Sequence, residues 1–209
     1  MPPRVSIVMP VFRPDRRFLE EAIASVISQS MPDWELIVVE DPWDACGKDV
    51  VVSRQDARIR YIGNTARTGL ARQHNLAVKE STADLIARFD ADDVCEPDRL
   101  AKQIAYLEAN PSIDVVSSQL TIIDAEGAVI GQRDYPLAHD DIVHAMHRFN
   151  PISGSNVMFR RRVVQSVGGW REGIDRPAQD YEWYSRVATR GFRFGTHPAP
   201  LVRYRRHGG

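Results

Sequence analysis

Val5-Ser6-Ile7-Val8-Met9, then Phe18 to Ser30, then Trp34-Glu35-Leu36-Ile37-Val38-Val39 together decide the architecture. The first run is rich in β-branched residues and closed by Pro10, which reads as a strand. In the second, Leu19, Ala22, Ile23, Val26 and Ile27 recur at helical spacing. The third is again a strand, ending at Glu40-Asp41-Pro42. Strands separated by helices of this length form βαβ units and a mostly parallel sheet. The pattern continues outward. Ile59 to Ile62 is a short strand, and Leu70 to Lys79 a helix with Leu70, His74, Ala77 and Val78 on one side. Asp84 to Phe89 is a fourth strand, and Asp98 to Asn110 a helix stopped by Pro111. The predicted fold class is α/β, a mostly parallel central sheet flanked by helices. Ligands on such sheets bind at the carboxyl ends of the strands.

The second half is less regular. Val115 to Ile123 reads as a long strand, with Asp124-Ala125-Glu126-Gly127 turning into a hairpin partner, Ala128 to Gln132. His139 to His147 is expected as a helix, Ser155 to Phe159 as a strand, Tyr181 to Thr189 as a helix ended by Gly191, and Leu201 to Arg206 as a last strand. Without a repeat or clear linker, one domain over 1–209 is expected, a regular half over 1–110 followed by a smaller irregular half over 111–209.

Composition narrows the function classes. The chain has 209 residues, 43% apolar and 26% charged, an ordinary globular balance. A net charge of −1 argues against a general nucleic-acid binder. Cys46 and Cys95 form neither metal spacing nor a disulfide framework, which fits a reducing, cytoplasmic setting. No apolar stretch approaches 18 residues, so no spanning segment is expected.

The chemistry concentrates at strand ends. In Phe89-Asp90-Ala91-Asp92-Asp93, residues two apart in an extended chain face one way, so Asp90 and Asp92 present two carboxylates to one side. Clustered carboxylates repel one another unless a cation joins them. Mg²⁺ or Mn²⁺ bridging to phosphate oxygens is one occupant; a solvated acidic loop capping the next helix is the other reading.

The ordered set of motifs resembles the family 2 glycosyltransferases of the GT-A fold over essentially the whole chain. The residues that carry this are Val5 to Phe12, Ala24 to Ser30, Trp34 to Val39, the Asn64…Gly69…Arg72-x-x-Asn75 segment, Asp90-Ala91-Asp92-Asp93 with Pro97-Asp98-Arg99-Leu100, Gly168-Gly169-Trp170, Gln179-Asp180-Tyr181-Glu182, and Tyr204-Arg205-Arg206-His207. The resemblance implies an inverting, metal-dependent transfer from a nucleotide-diphospho-sugar, a UDP-sugar above all, to a hydroxyl of a glycan or lipid-linked acceptor. It implies Mn²⁺ or Mg²⁺ as cofactor and a cytoplasmic location, with peripheral association at the inner membrane face.

Residue by residue, the resemblance makes Asp180 the general base. Asp41 accepts a hydrogen bond from the base, Pro10 and Phe12 line the nucleotide pocket, Arg72 contacts the nucleotide and Asp90 holds the ribose. Asp92 and His207 ligate the metal, with Arg205 or Arg206 helping the diphosphate. Asp180 has a second reading as a helix N-cap, and His207 as a frayed terminal residue. Trp170 is a candidate for stacking on a sugar ring, with core packing as its alternative; Asn156 and Ser155 are candidate acceptor contacts. Two departures stand out: Pro42-Trp43-Asp44 replaces the family's small residues after Asp41, and Gln179 replaces its usual Glu. A GT-A-like module that binds nucleotide or sugar without turnover is the rival from another class.

Overall fold

The computed structural model describes residues 2–44, 47–174 and 176–206. Its first half alternates as expected: β1 (Val5–Val11), α1 (Arg16–Ile27), β2 (Trp34–Glu40), a short α2 (Lys48–Val52), β3 (Ile59–Gly63), α3 (Leu70–Glu80) and β4 (Leu85–Arg88). Next come β5 (Val94–Cys95), α4 (Arg99–Ala109), β6 (Val115–Ile123), β7 (Val129–Arg133) and α5 (His139–Ala145). A 3₁₀ turn (Gly154–Asn156) then leads into β8 (Met158–Arg160), α6 (Arg161–Val167), α7 (Arg176–Thr189) and β9 (Phe194–Arg205).

The nine strands among the described residues join one sheet in the order β3-β2-β1-β4-β8-β6-β9-β5, with β7 on β6. The ladders β1–β2, β1–β4 and β2–β3 are parallel. Beyond β4 the sheet becomes mixed, because β8 runs antiparallel to both β4 and β6 while β9 runs parallel to β6. Strands β1 and β2 are apolar on both faces because helices cover both. Ile7, Met9 and Val11 pack with Leu19, Ile23 and Val26 of α1. Val8, Ile37 and Val39 pack on the other side with Ala71 and Ala77 of α3.

Local chemistry sets the boundaries. Asp15 caps α1, its Oδ1 accepting from the amides of Arg17 (2.9 Å) and Phe18 (3.3 Å). Pro10 lies inside β1 rather than closing it. Backbone groups of alternate strand residues face the same neighbour, and the Val8 carbonyl accepts from Phe89 on the β4 side. Position 10 therefore faces β4 as well, and proline has no N–H with which to continue that ladder. β4 stops at Arg88, and the chain leaves the sheet as the acidic turn. β9 begins seven residues before the expected Leu201, at Phe194. His197 pairs with Ser118 and Pro200 with Gln119, so Pro198 and Ala199 bulge out of the ladder.

Candidate active site

A cleft of about 950 Å³ opens at the carboxyl ends of β1, β2 and β4. Its lining draws Pro10, Phe12 and Arg13 from β1 and the loop after it, Asp41 from the end of β2, and Arg67 and Gln73 from the entry to α3 and from α3 itself. Asp90 and Asp92 come from the turn after β4, Gln179 and Asp180 from α7, and Tyr204 from β9. Residues as distant in sequence as Pro10 and Tyr204 thus share one wall. His207 and Cys46 lie outside the described residues.

The acidic turn is held on two sides. The Asp90 amide donates to Ser155 Oγ at 3.2 Å, and Asp93 Oδ1 accepts from the Arg205 amide at 2.8 Å. Asp93 is fully buried; burial first, then the charges of Asp90 and Asp92, push its carboxyl well above the usual range. Asp93 is thus enclosed in the fold, and Asp90 and Asp92 are the carboxylates of this turn that line the cleft. Arg205 is buried, its guanidinium engaged by the carbonyls of Asp92, Asp124 and Ala125 and by Glu21. It fixes the turn from behind and is not available to a diphosphate, which corrects the expectation for this residue.

Asp180 is the fifth residue of α7, not its N-cap, because the helix starts at Arg176. Its Oδ1 accepts from Arg88 Nη1 at 2.5 Å and from Trp170 Nε1 at 3.3 Å. Arg88 is 1% exposed, donates from Nε to His74 Nε2 at 3.1 Å, lies 3.8 Å from Asp90, and sits over the Trp170 ring at 5.4 Å. Burial alone would lower the Arg88 pKa, but the charges around it, Asp180 foremost, raise it, so the guanidinium stays charged. Arg88 thus bridges the two carboxylates that flank the cleft floor. Only a bare backbone fits beside this pair. A Cβ at Gly154 would lie 2.5 Å from Asp180 Oδ2 and 2.8 Å from Arg88 Nη1. Gly154→Ala is expected to cost about 1–3 kcal/mol by overpacking, read as a lowered thermal midpoint; an unchanged midpoint would mean that the pair yields freely.

Three expected contacts take other places. Trp170 is buried, stacked on Trp183 at 4.7 Å and 17°, so its ring is core and only its N–H reaches the cleft side. Asn75 holds Trp170 by a reciprocal pair, Nδ2 to the carbonyl (2.8 Å) and Oδ1 from the amide (2.9 Å). Asn156 is fully buried, its Nδ2 donating to the Ser118 carbonyl at 2.6 Å, which removes it from any acceptor surface. Arg72 is turned away from the cleft. Leu70 and Gln73 share the helix face that lines it, whereas Arg72 lies about 200° from Leu70 around the helix and pairs with exposed Glu172 at 2.7 Å. Arg67 is the guanidinium that lines the cleft from this segment.

Asp41 lines the cleft, but both its oxygens serve its own chain. Oδ1 accepts from Asn64 Nδ2 (2.8 Å) and Thr68 Oγ1 (2.7 Å); Oδ2 accepts from the amides of Thr68 (2.9 Å) and Gly69 (2.7 Å). Burial would raise its pKa, yet these bonds, from Gly69, Thr68 and Asn64, outweigh it and hold the carboxylate below its ordinary value. The sequence reading passed over Arg88, Gly154, Arg13 and Arg67. Arg88 alone left a trace, as a charge inside the apolar run Leu85-Ile86-Ala87-Arg88-Phe89.

The family model described as "Glycosyl transferase family 2" matches residues 6–168. The chain belongs to glycosyl transferase family 2. Among its relatives are an uncharacterized glycosyltransferase of Haemophilus influenzae, 31% identical and covering 99% of this chain and 66% of the relative. The putative glycosyltransferase EpsE of Bacillus subtilis is 32% identical over 91% of this chain and 69% of its own length. Two solved structures resemble the fold. One is the mannosyltransferase PcManGT from Pyrobaculum calidifontis in complex with GDP-Man and Mn²⁺ (TM-score 0.73, 20% identity, 97% of this chain and 57% of that one). The other is S. aureus TarS 1-349 in complex with UDP-GlcNAc (TM-score 0.80, 14% identity, 99% and 59%). They establish the GT-A fold for this family 2 chain, which spans about two thirds of those relatives and under 60% of those solved chains. Among the described residues no helix is long and apolar enough to cross a membrane.

Proposed function

We propose that this family 2 chain is the catalytic domain of an inverting glycosyltransferase that moves a sugar from a nucleoside-diphospho-sugar to a hydroxyl of a glycan or lipid-linked acceptor. One observation carries the reading: Asp41, Asp90, Asp92 and Asp180, far apart in sequence, line one cleft at the strand ends. Family relatives named for amylovoran and O-antigen biosynthesis support the acceptor class. The fold neighbours that hold GDP-Man or UDP-GlcNAc support the donor class.

Asp180 is the base. Its Oδ1 is held by Arg88 and Trp170, and Oδ2 has no hydrogen-bond partner among the described residues, so one oxygen is aimed and the other accepts the proton. As the acceptor oxygen bonds to the anomeric carbon, its proton passes to Asp180. The anomeric carbon–phosphate oxygen bond breaks on the opposite face, the diphosphate leaves with the electron pair, and the anomeric centre inverts. A positioned base of this kind contributes about 10²–10⁴-fold.

Mn²⁺ or Mg²⁺ fits the residues present. No group of three or more candidate ligands converges among the described residues, but an ion held by one or two carboxylates plus substrate phosphates needs only Asp92 with Asp90 beside it. Held there by Asp92 and Asp90, such an ion would supply Lewis-acid charge to the diphosphate leaving group. UDP titrated by calorimetry is expected to bind with Mn²⁺ and to lose that metal dependence in Asp92→Ala. Metal-independent binding in the wild type, or unchanged binding in the variant, would sink this assignment.

A further inference from the structure

We propose that the acceptor's reacting hydroxyl sits on a sugar ring, held at its apolar face by Tyr204 and at a neighbouring hydroxyl by Gln179, so that the acceptor ends in a saccharide and not in a simple lipid alcohol. This rests on the transfer reading above and narrows its acceptor. The first observation is a bare aromatic face in the cleft. Successive side chains of a strand point to opposite sides. In β9, Arg203 and Arg205 are tied to Glu96 and Glu21, and Tyr204 between them lines the cleft and is 39% exposed. Its phenol lies against the acidic turn: burial first, then the charges of Asp93, Asp90 and Asp92, push its pKa up. Phe12 and Phe18 also line the cleft, but guanidinium groups cover them, Arg67 at 4.5 Å and Arg205 at 4.3 Å. Tyr204 has no such cover among the described residues. A sugar ring has an apolar C–H face that packs on a bare aromatic ring. That is the role for which the sequence offered Trp170, whose own ring is buried.

The second observation is an unpaired acceptor atom beside the base. Gln179 is 8% exposed, lines the cleft and directly precedes Asp180. Its Nε2 donates to the Ile174 carbonyl at 2.9 Å, which fixes the two ends of the amide. Its Oε1 is buried and has no hydrogen-bond partner among the described residues. Folded chains pair nearly all such atoms, because leaving a buried acceptor unpaired is costly. The terminal torsion of glutamine is broad, so a modest turn of the amide brings Oε1 to the cleft surface. An amide oxygen only accepts, so what completes it there is a hydroxyl. The base meets the acceptor, and the residue beside the base meets the acceptor's next hydroxyl. A sugar ring supplies that neighbouring pair together with the apolar face; a primary lipid alcohol supplies neither. Glutamate at 179 has no hydrogen to give the Ile174 carbonyl, so glutamine is the residue that holds this oxygen in a fixed place.

The test is saturation-transfer NMR and titration of a panel of methyl hexopyranosides on the chain loaded with UDP or GDP and Mg²⁺, with 1-hexanol as the ringless alcohol. At least one glycoside is expected to bind and to receive saturation through its ring C–H protons, and 1-hexanol is not. Tyr204→Ala and Gln179→Leu are each expected to weaken that glycoside about 2- to 12-fold, the range for one aromatic face or one neutral hydrogen bond. Tyr204→Phe, which keeps the face, is expected to recover the affinity. Nucleotide affinity by calorimetry is expected to hold in all three variants. No glycoside binding, equal binding of 1-hexanol, or full glycoside affinity in Tyr204→Ala or Gln179→Leu overturns the saccharide acceptor. Weakening of UDP-glucose in place of the glycoside assigns the two residues to the donor sugar and overturns it as well. In each of these cases retained nucleotide binding leaves the transfer reading standing. No binding of either nucleotide by the wild type overturns both.

Discussion

Asp180→Asn is expected to lower turnover about 10²–10⁴-fold while UDP affinity stays at the wild-type level. Asparagine keeps an oxygen where Oδ1 accepts from Arg88 at 2.5 Å and from Trp170 Nε1 at 3.3 Å, so the side chain keeps its place. The substitution removes the lone pair basic enough to take the acceptor's proton. Turnover is followed as nucleoside diphosphate release from a panel of nucleotide sugars with an acceptor mixture, below the melting temperature of the variant. Loss of affinity together with turnover would make Asp180 a donor-binding residue. Full activity would move the base elsewhere on the cleft wall, and Asp90 is the only other described carboxylate within 4 Å of Arg88.

Asp180→Ala is expected to destabilise the fold by about 3 kcal/mol, a fall of roughly 6–12 °C in midpoint for a chain of this size. The cause lies in its partner. The Arg88 side chain is 2% exposed and that of Asp180 21% exposed, so deleting the carboxylate strands a buried cation whose next carboxylate is Asp90 at 3.8 Å. Breaking a buried pair from one side is costly, whereas replacing both members with apolar groups is often neutral. Adding Arg88→Met to Asp180→Ala is therefore expected to recover much of the lost midpoint, measured as a double-mutant cycle by thermal melting. A double variant that melts below Asp180→Ala would mean that Arg88 stabilises mainly through His74 and Trp170 and not through charge. The same pair explains why a glycine occupies position 154 and why Trp170, which the residues left open between sugar stacking and core packing, is core.

Legibility followed the range of the forces involved. β1, β2 and α1 were readable because burial on both faces of a parallel sheet produces unbroken apolar runs, and a one-sided helix produces a repeat of three to four. The long β6 and the hairpin after it were readable for the same local reason, with Asp124 and Gly127 marking the turn. The short β5 and α2 carry too few residues for any period to show. β9 was obscured by Pro198 and Pro200, which a bulge accommodates.

In the candidate site, the amino-acid order alone determined that carboxylates stand at the ends of β2 and β4, because strand ends and acidic turns are local features. It determined the family for the same reason, through short motifs in a set order. Tertiary structure decided what those carboxylates touch. The Asp180–Arg88 pair spans 92 positions, and the four bonds that occupy Asp41 come from 23 to 28 positions away. Whether Arg72 or Arg67 faces the cleft depends on how α3 is rotated against β1 and β2. Pairing, burial and saturation of a polar group depend on which distant segments the folded chain brings within about 3 Å, and no local pattern of residues encodes that.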